Sequence, residues 1–209
     1  MRDILRSLEY LHSQKIIHGD LKPENVLLAA NGTVKLSDFG CSRVFVTGNE
    51  YFDRFRGTPA FLAPEMMRPQ THYRGRPVDV YAMGVCLYAL AFGAIPFSAS
   101  NLYKLFQRVQ EDAVRFPSHP QVSPELIDVL ERLLMKDPKK RITVHEVMKH
   151  PWVTMDGKYP MRPFKELYVH GRLNFDEDPT PTNYLKNMFT LKHRYGHCLF
   201  KLVEDLFNG

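Results

Sequence analysis

The sequence predicts a mainly α-helical domain that carries one short β-hairpin near its N-terminal end. An apolar run at residues 78–92, VDVYAMGVCLYALAF, is too short to cross a membrane and indicates a buried helix. Residues 123–125 and 143–146 each begin with a hydroxyl residue in a position that caps a helix. Residues 31–32, Asn-Gly, predict a tight turn between two strand-like stretches.

The first predicted element is an amphipathic helix at the start of the chain. Ile4, Leu5, Leu8 and Leu11 recur at helical spacing, and Asp3 is the residue available to cap this helix. A helix that begins this abruptly is not typical of a domain boundary. We therefore expect a truncated chain or a misassigned start.

The hairpin is predicted over residues 25–40, NVLLAANGTVKLSDFG, with its turn at Asn31 and Gly32. A long segment with no sustained period follows, from Cys41 to about Glu65. Segments of this kind inside a compact domain are usually functional or disordered. The side chains of the hairpin that we expect to face the core are Val26, Leu27, Val34 and Leu36.

Helices are predicted for most of the remaining chain. After the apolar run, they are expected over residues 101–110, from Ser123 onward, and from Thr143 onward. We therefore assign residues 1–153 to one domain and residues 154–209 to a C-terminal tail. The tail ends in an amphipathic stretch, residues 183–207.

Composition limits the classes of function. With 44% hydrophobic and 24% charged residues, the chain has an ordinary globular balance. Its net charge of +5 is thinly spread, which argues against nucleic-acid binding but suits nucleotide phosphates. Cys41, Cys86 and Cys198 are far apart and odd in number, so we expect a reducing, cytoplasmic location. No apolar run reaches membrane-spanning length, and we expect no membrane span.

Four residues fit the needs of phosphoryl transfer, which depends on positioning and on charge stabilisation. Asp20 is a candidate to orient the attacking hydroxyl and accept its proton, and Lys22 is a candidate cation beside the γ-phosphate. Asn25 and Asp38 offer the hard oxygen ligands that Mg²⁺ prefers. Because the hairpin turns the chain back, these two residues are expected to lie side by side.

The order of motifs identifies a family. His18-Gly19-Asp20, then Asp38-Phe39-Gly40, then Ala63-Pro64-Glu65 occur in the sequence expected of protein kinases. Through these motifs, residues 1 to about 153 resemble the C-terminal lobe of eukaryotic protein kinases. LKPEN at residues 21–25 and GTPAFLAPE at residues 57–65 resemble the Ser/Thr versions of the catalytic and substrate-binding loops.

The resemblance implies further roles. Mg²⁺ and ATP are the implied cofactor and phosphoryl donor. Thr58 is expected to contact Asp20 and Lys22. Asp79 is expected to anchor the backbone of the catalytic loop. The remaining implied residues are structural: a buried ion pair of Glu65 with Arg141, and the packing residues His18 and Phe39.

Alternatives remain open at this stage. Small-molecule phosphotransferases share the His-Gly-Asp and the Asn, but they lack GTPAFLAPE, so a protein substrate is favoured. A non-catalytic pseudokinase or a truncated product acting as a binding module is the competing class. Neither G-x-G-x-x-G nor a V-A-I-K lysine occurs in the chain. We therefore expect the N-terminal lobe to be absent, and the isolated chain to bind ATP poorly.

Within the family, the chain resembles calcium/calmodulin-dependent protein kinase kinases, through SQKIIH, GTPAFLAPE, the apolar run and HPWVT. Such enzymes phosphorylate other Ser/Thr kinases, which implies a kinase as substrate. The basic amphipathic stretch within residues 182–209 is a candidate calmodulin site, and a helix docked on the domain or a frayed end is the alternative.

Gly19 replaces the Arg of H-R-D, which in many protein kinases pairs with a phosphate on the activation loop. The hypothesis is that activity does not need phosphorylation at Thr47, Tyr51 or a neighbour. The alternative, a decaying copy, is opposed by the intact Asp20 and Asp38.

Overall fold

A computed structural model describes residues 1–30, 32–46, 51–52, 57–68, 72–163, 166, 168–169 and 172–173. The helices are α1 Arg2–Ser13, α2 Gly75–Phe92, α3 Leu102–Glu111, α4 Pro124–Leu133, α5 Val144–Lys149 and α6 Pro151–Thr154. The strands are β1 Ile16–Ile17, β2 Val26–Leu28, β3 Val34–Leu36, β4 Arg43–Val44, β5 Tyr51–Phe52, β6 Tyr73–Arg74, β7 Tyr168–Val169 and β8 Arg172–Leu173. Over the described part of the chain, no helix is both long and apolar enough to cross a membrane.

The predicted buried helix is confirmed as α2, and it forms the centre of the core. It begins at Gly75, three residues before the apolar run, and ends at Phe92, where the following Gly93 caps the helix with a φ of +67° in the left-handed region. Almost every side chain from Val78 to Ala89 is buried. At Gly84 an added Cβ would lie 2.8 Å from the Cβ of Leu133, so glycine allows α4 to pack closely.

The predicted helix starts are also confirmed, because each depends on a local side-chain cap. Asn101 accepts a hydrogen bond from the backbone N–H of Lys104 at the start of α3. Ser123 caps α4, and Thr143 forms the predicted capping box with Glu146 at the start of α5.

The prediction that Asp3 caps α1 is wrong. Asp3 lies in the first turn, and Met1 holds the N-cap position with no side-chain cap bond. The Asp3 carboxylate instead accepts a hydrogen bond from the backbone N–H of Val34 at 2.9 Å. Asp3 therefore ties α1 to the hairpin.

The hairpin is confirmed, with Val26 paired to Leu36 and Leu27 paired to Lys35. Gly32 has a φ of +84°, while Asn31 lies outside the described residues. The prediction for Leu27 is wrong, because its side chain is 52% exposed. Strand side chains alternate between faces, and Leu27 shares the outer face with exposed Lys35.

The segment from Cys41 to Glu65 is more regular than its composition indicates. β4 pairs with β1 and β5 pairs with β6, both antiparallel. Two single turns of 3₁₀ helix follow, Pro59–Phe61 and Pro64–Met67. Pairing with strands outside this segment thus gives regular structure to Arg43–Val44 and Tyr51–Phe52, which have no local period.

The packed body continues past Val153. The buried Arg2 side chain donates hydrogen bonds to the carbonyl oxygens of Val153, Tyr159 and Pro160. Met161 is buried against the core. The first residues assigned to the tail therefore pack on the helical body, whereas the amphipathic stretch at residues 183–207 lies outside the described residues.

Candidate active site

The loop of residues 18–25 is fixed to the core by one buried carboxylate. Asp79, on α2, is fully buried and accepts hydrogen bonds from the backbone N–H of His18 at 3.0 Å and of Gly19 at 2.9 Å. The Nε2 atom of His12 on α1 lies 2.9 Å from the same carboxylate. Sequence reasoning missed His12, although its place one turn after Leu8 on the apolar face of α1 was a signal.

His18 is a buried linker between this loop and the hairpin. Its Nδ1 atom accepts a hydrogen bond from the backbone N–H of Asp20, and its Nε2 atom lies 3.1 Å from the carbonyl oxygen of Ser37. With Nδ1 accepting, the proton resides on Nε2, which donates to Ser37. Phe39 lies against the His18 ring at a centroid distance of 5.2 Å, yet it is 49% exposed, so it is only in part a packing residue.

Asp20, Lys22 and Thr58 form one connected group. Thr58 donates to Asp20 Oδ1 from its backbone N–H at 2.8 Å and from its hydroxyl at 2.9 Å. Lys22 Nζ lies 2.9 Å from the Thr58 hydroxyl oxygen and 3.1 Å from Asp20 Oδ2. The Asp20 carboxylate thus joins the 18–25 loop to the 57–65 loop.

The pKa of Asp20 reflects two opposing effects. Burial acts to raise it, because it penalises the charged carboxylate. The hydrogen bonds from Lys22 and Thr58 and the Lys22 charge outweigh this effect, so the net pKa lies below the usual value for aspartate. Asp20 is therefore held as an ionised, hydrogen-bond-accepting group.

Asn25 and Asp38 are brought to neighbouring positions by the hairpin. The backbone N–H of Ser37 donates to the carbonyl oxygen of Asn25 at 2.9 Å, which sets Asp38 beside the start of the opposite strand. Asn25 Nδ2 donates to the Asp20 carbonyl oxygen at 2.8 Å, and this orients the side-chain oxygen of Asn25 as an acceptor. Asp38 is exposed and has a φ of +58°.

This donor set fits Mg²⁺. One amide oxygen and one carboxylate are hard ligands, and Mg²⁺ commonly takes one or two such protein ligands together with substrate phosphates. Among the described residues, no group of three or more His, Cys, Asp or Glu side chains is placed to hold a metal ion by itself. A metal at Asn25 and Asp38 would therefore be shared with the phosphates of a nucleotide.

Two glycines allow the backbones of the loops to touch. Gly19 has a φ of +78°, and an added Cβ would lie 2.8 Å from the carbonyl oxygen of Cys41. Gly57 has a φ of +119°, and its Cβ would lie 2.7 Å from the carbonyl oxygen of Gly19. A side chain at either position would be strained and would displace the carbonyl oxygen that it meets, so glycine allows this close approach of the loops. Sequence reasoning noted Gly19 only as a missing Arg and missed Gly57.

Arg141 fixes the far end of the 57–65 loop. Its guanidinium binds the Glu65 carboxylate in bidentate geometry, with N–O distances of 2.7 and 2.9 Å. It also donates to the carbonyl oxygens of Pro77, Met135 and Lys136. This buried pair anchors the loop to the helical core behind it.

Comparison with known proteins identifies the family of the chain. The family model of the protein kinase domain matches residues 1–153. A calcium/calmodulin-dependent protein kinase kinase of Caenorhabditis elegans is 43% identical over 162 residues, covering 77% of this chain and 30% of that protein.

Two further relatives are serine/threonine-protein kinases. Ssp1 of Schizosaccharomyces pombe is 47% identical over 166 residues, which cover 75% of this chain and 25% of the relative. GRIK2 of Arabidopsis thaliana is 41% identical over 162 residues, which cover 77% of this chain and 39% of the relative. The chain thus spans between a quarter and two fifths of the length of these curated relatives.

Proposed function

This chain belongs to the protein kinase domain family, and from that premise we propose that residues 1–153 form the C-terminal lobe of an ATP-dependent Ser/Thr protein kinase. The observation that carries the proposal is that Thr58 is hydrogen-bonded to both Asp20 and Lys22. These bonds hold the 57–65 loop, which would bind a polypeptide, against the Asp20 carboxylate, which would accept the proton of the substrate hydroxyl.

Asp20 orients the substrate hydroxyl and accepts its proton as the hydroxyl oxygen bonds to the γ-phosphorus of ATP and the bond from that phosphorus to the oxygen of the leaving ADP breaks. A carboxylate with a lowered pKa is a weak base, so this proton transfer comes late, after most of the new bond has formed. The early role of Asp20 is therefore orientation, which is the main need in phosphoryl transfer.

Lys22 places its charge between the two loops. Its Nζ atom contacts Asp20 and Thr58, so it is held where negative charge develops on the transferred group. Asn25 and Asp38 are the residues that would hold Mg²⁺, which neutralises phosphate charge when bound.

A protein substrate is favoured over a small molecule. The 57–65 loop is held at one end by Asp20 and at the other by the Glu65–Arg141 pair, which supports an extended platform for a peptide. The relatives reported above are named protein kinases.

Further parts of the proposal depend on the relatives. The Caenorhabditis elegans relative is named as a kinase of other kinases, so we propose a Ser/Thr kinase as substrate and calmodulin as a partner of residues 182–209. Calcium-dependent binding of calmodulin to that peptide tests the second point. Free thiols at Cys41 and Cys86 are consistent with a cytoplasmic location.

The test compares the wild-type complete protein with Asp20→Asn and with the exposed control Asp156→Asn, using Mg²⁺ and labelled ATP. Peptides that present Ser, Thr or Tyr at one position, together with choline and an aminoglycoside, serve as acceptors. We expect transfer to Ser and Thr only, an unchanged control, and a loss in Asp20→Asn of about 10²-fold or more. Transfer to the small molecules would contradict the proposal. A wild type that transfers to no acceptor would favour the non-catalytic binding module.

A further inference from the structure

A broad groove lies on the helical body, apart from the candidate active site. Its volume is about 550 Å³, and it is bounded by the end of α4, residues 139–143 and α5. It shares no lining residue with the group of Asp20, Lys22 and Thr58. The charged side chains that line it are Arg132, Lys139, Lys140, Arg141, Glu146 and Lys149. We call this surface the basic groove.

Three lysines give the groove positive charge that the protein does not neutralise by itself. Lys139, Lys140 and Lys149 are exposed. Within the part of the chain that the structure describes, their ammonium groups form no ion pair and no hydrogen bond. Each ammonium offers three donors, so this part of the groove is suited to negatively charged acceptors.

The other charged groups of the groove have partners within the protein. The Arg141 guanidinium is buried in its pair with the 57–65 loop, and Arg132 lies 3.0 Å from the Asp128 carboxylate. Glu146 brings one negative charge, and its Oε2 atom accepts hydrogen bonds from the backbone and the hydroxyl of Thr143. The charge available to a ligand is therefore that of the three lysines.

The chemistry of the lining selects among possible occupants. Pockets for small molecules are mostly apolar, and an apolar ligand or helix here would bury ammonium groups without partners. Nucleic acids need a more extended basic surface. Phosphorylated segments are typically gripped by arginine forks, but both arginines of this groove are engaged. Carboxylates on an extended polypeptide match the groove, because they need only point charges within reach.

The groove lies within reach of the proposed substrate loop. Arg141 lines the groove and also binds Glu65, which follows Thr58 by seven residues. Seven extended residues span at most about 25 Å. A polypeptide held in the groove therefore has its neighbouring residues at a high effective concentration around Thr58 and Asp20.

We infer that the basic groove docks an Asp- and Glu-rich segment of the protein substrate. This inference rests on the proposed kinase function and adds a class of substrate to it. The acidic segment is distinct from the phosphorylated residue, and the groove recruits the substrate without taking part in phosphoryl transfer.

The first experiment measures binding to the complete protein by fluorescence anisotropy, with a labelled peptide that alternates Glu with Gly and Ser. We expect the Kd to rise about tenfold in Lys139→Glu/Lys140→Glu, because two attractions become repulsions. Lys139→Arg/Lys140→Arg keeps the charge and should stay within about twofold of wild type. The control Lys35→Glu/Lys104→Glu changes the net charge equally at exposed lysines outside the groove, and it should also stay within about twofold.

The second experiment measures phosphorylation of a Ser peptide joined through about 30 Gly and Ser residues to the Glu-rich segment. Such a linker has a root-mean-square length of about 30 Å. We expect a KM about tenfold lower than for the same peptide with Gln in place of Glu, with kcat unchanged. This difference should disappear in Lys139→Glu/Lys140→Glu and persist in Lys35→Glu/Lys104→Glu.

The two experiments separate this inference from the proposed function. Groove-dependent binding to an inactive wild type would contradict the function and leave the acidic docking site intact. Equal binding by wild type and Lys139→Glu/Lys140→Glu, or equal KM values for the Glu and Gln peptides, would overturn the inference. A phosphoserine peptide that binds about tenfold more tightly than the Glu peptide would overturn it in favour of a phosphorylated partner.

The chain has an acidic run of its own, Asp-Glu-Asp at residues 176–178, which is a competing occupant. The variant Asp176→Asn/Glu177→Gln/Asp178→Asn removes these charges. We expect it to bind the Glu-rich peptide as wild type does. Binding that appears only in this variant would assign the groove to the chain's own segment and overturn the inference.

Discussion

Thr58 donates two hydrogen bonds to one oxygen of Asp20, from its backbone N–H at 2.8 Å and from its hydroxyl at 2.9 Å. The second oxygen of Asp20 lies 3.1 Å from Lys22 Nζ. Both oxygens of the carboxylate are therefore engaged before a substrate arrives. Under the proposed function, a substrate hydroxyl would approach a carboxylate whose direction the 57–65 loop has already set.

The Thr58 hydroxyl can be tested apart from its backbone N–H. Thr58→Ala removes only the bonds of the hydroxyl to Asp20 and Lys22 and keeps the backbone bond, and a hydrogen bond to a charged group is worth about 1.5–3 kcal/mol. We expect kcat/KM for a peptide to fall by about 10- to 100-fold. Thr58→Ser keeps the hydroxyl and should stay within a few-fold of wild type. Steady-state kinetics check this, and equal losses in both variants would contradict the role of the hydroxyl.

The lowered pKa of Asp20 predicts a dependence of stability on pH. The folded protein keeps this carboxylate ionised at pH values where the unfolded chain, with a pKa of about 4, takes up a proton. The stabilisation is therefore complete above the unfolded pKa and is lost as the pH falls through the lower, folded pKa. We expect the difference in unfolding free energy between wild type and Asp20→Asn to be constant from about pH 7 to 5 and to shrink below about pH 4. Urea titrations at each pH measure it, and a constant difference throughout would contradict the shift.

Gly19 and Gly93 form a matched pair for testing the contact between loops. Both have positive φ, but an added Cβ meets Cys41 at Gly19 and nothing within 4 Å at Gly93. Gly93→Ala should cost about 1–2 kcal/mol of unfolding free energy, from backbone strain alone. Gly19→Ala should cost about 1–3 kcal/mol more, because a backbone carbonyl must move. Equal costs in urea unfolding would show that the close approach is not required.

Arg141→Lys tests the buried pair that anchors the 57–65 loop. Lysine cannot reproduce the bidentate contact with Glu65 or the bonds to the surrounding carbonyl oxygens. We expect a loss of about 1–3 kcal/mol in unfolding free energy, because lysine keeps the charge opposite Glu65 but leaves buried acceptors without their hydrogen bonds. The control is Arg132→Lys, an exposed pair with Asp128 that should change stability by at most about 0.5 kcal/mol. A similar, small change in both variants would contradict the anchoring role.

Most helices and the hairpin could be predicted because their signals are local. The caps at Ser123 and Thr143 act within one turn of the helix that they start. Asp20, Lys22 and Asn25 could also be found, since they lie within one loop and their order along the chain matches the family. Asp3 was misjudged because its partner, Val34, belongs to a different element.

The sequence by itself determined the family, the helical body and the candidate residues of the site, since spacing and residue type carry that information. Only the tertiary structure decided that Leu27 is exposed, that Gly19 and Gly57 bring two loops into contact, and that the Arg43 guanidinium lies over the ring of Phe52. Each of these depends on residues far apart in the chain. Local propensity cannot specify such contacts, because they form only when packing against α2 brings the segments together.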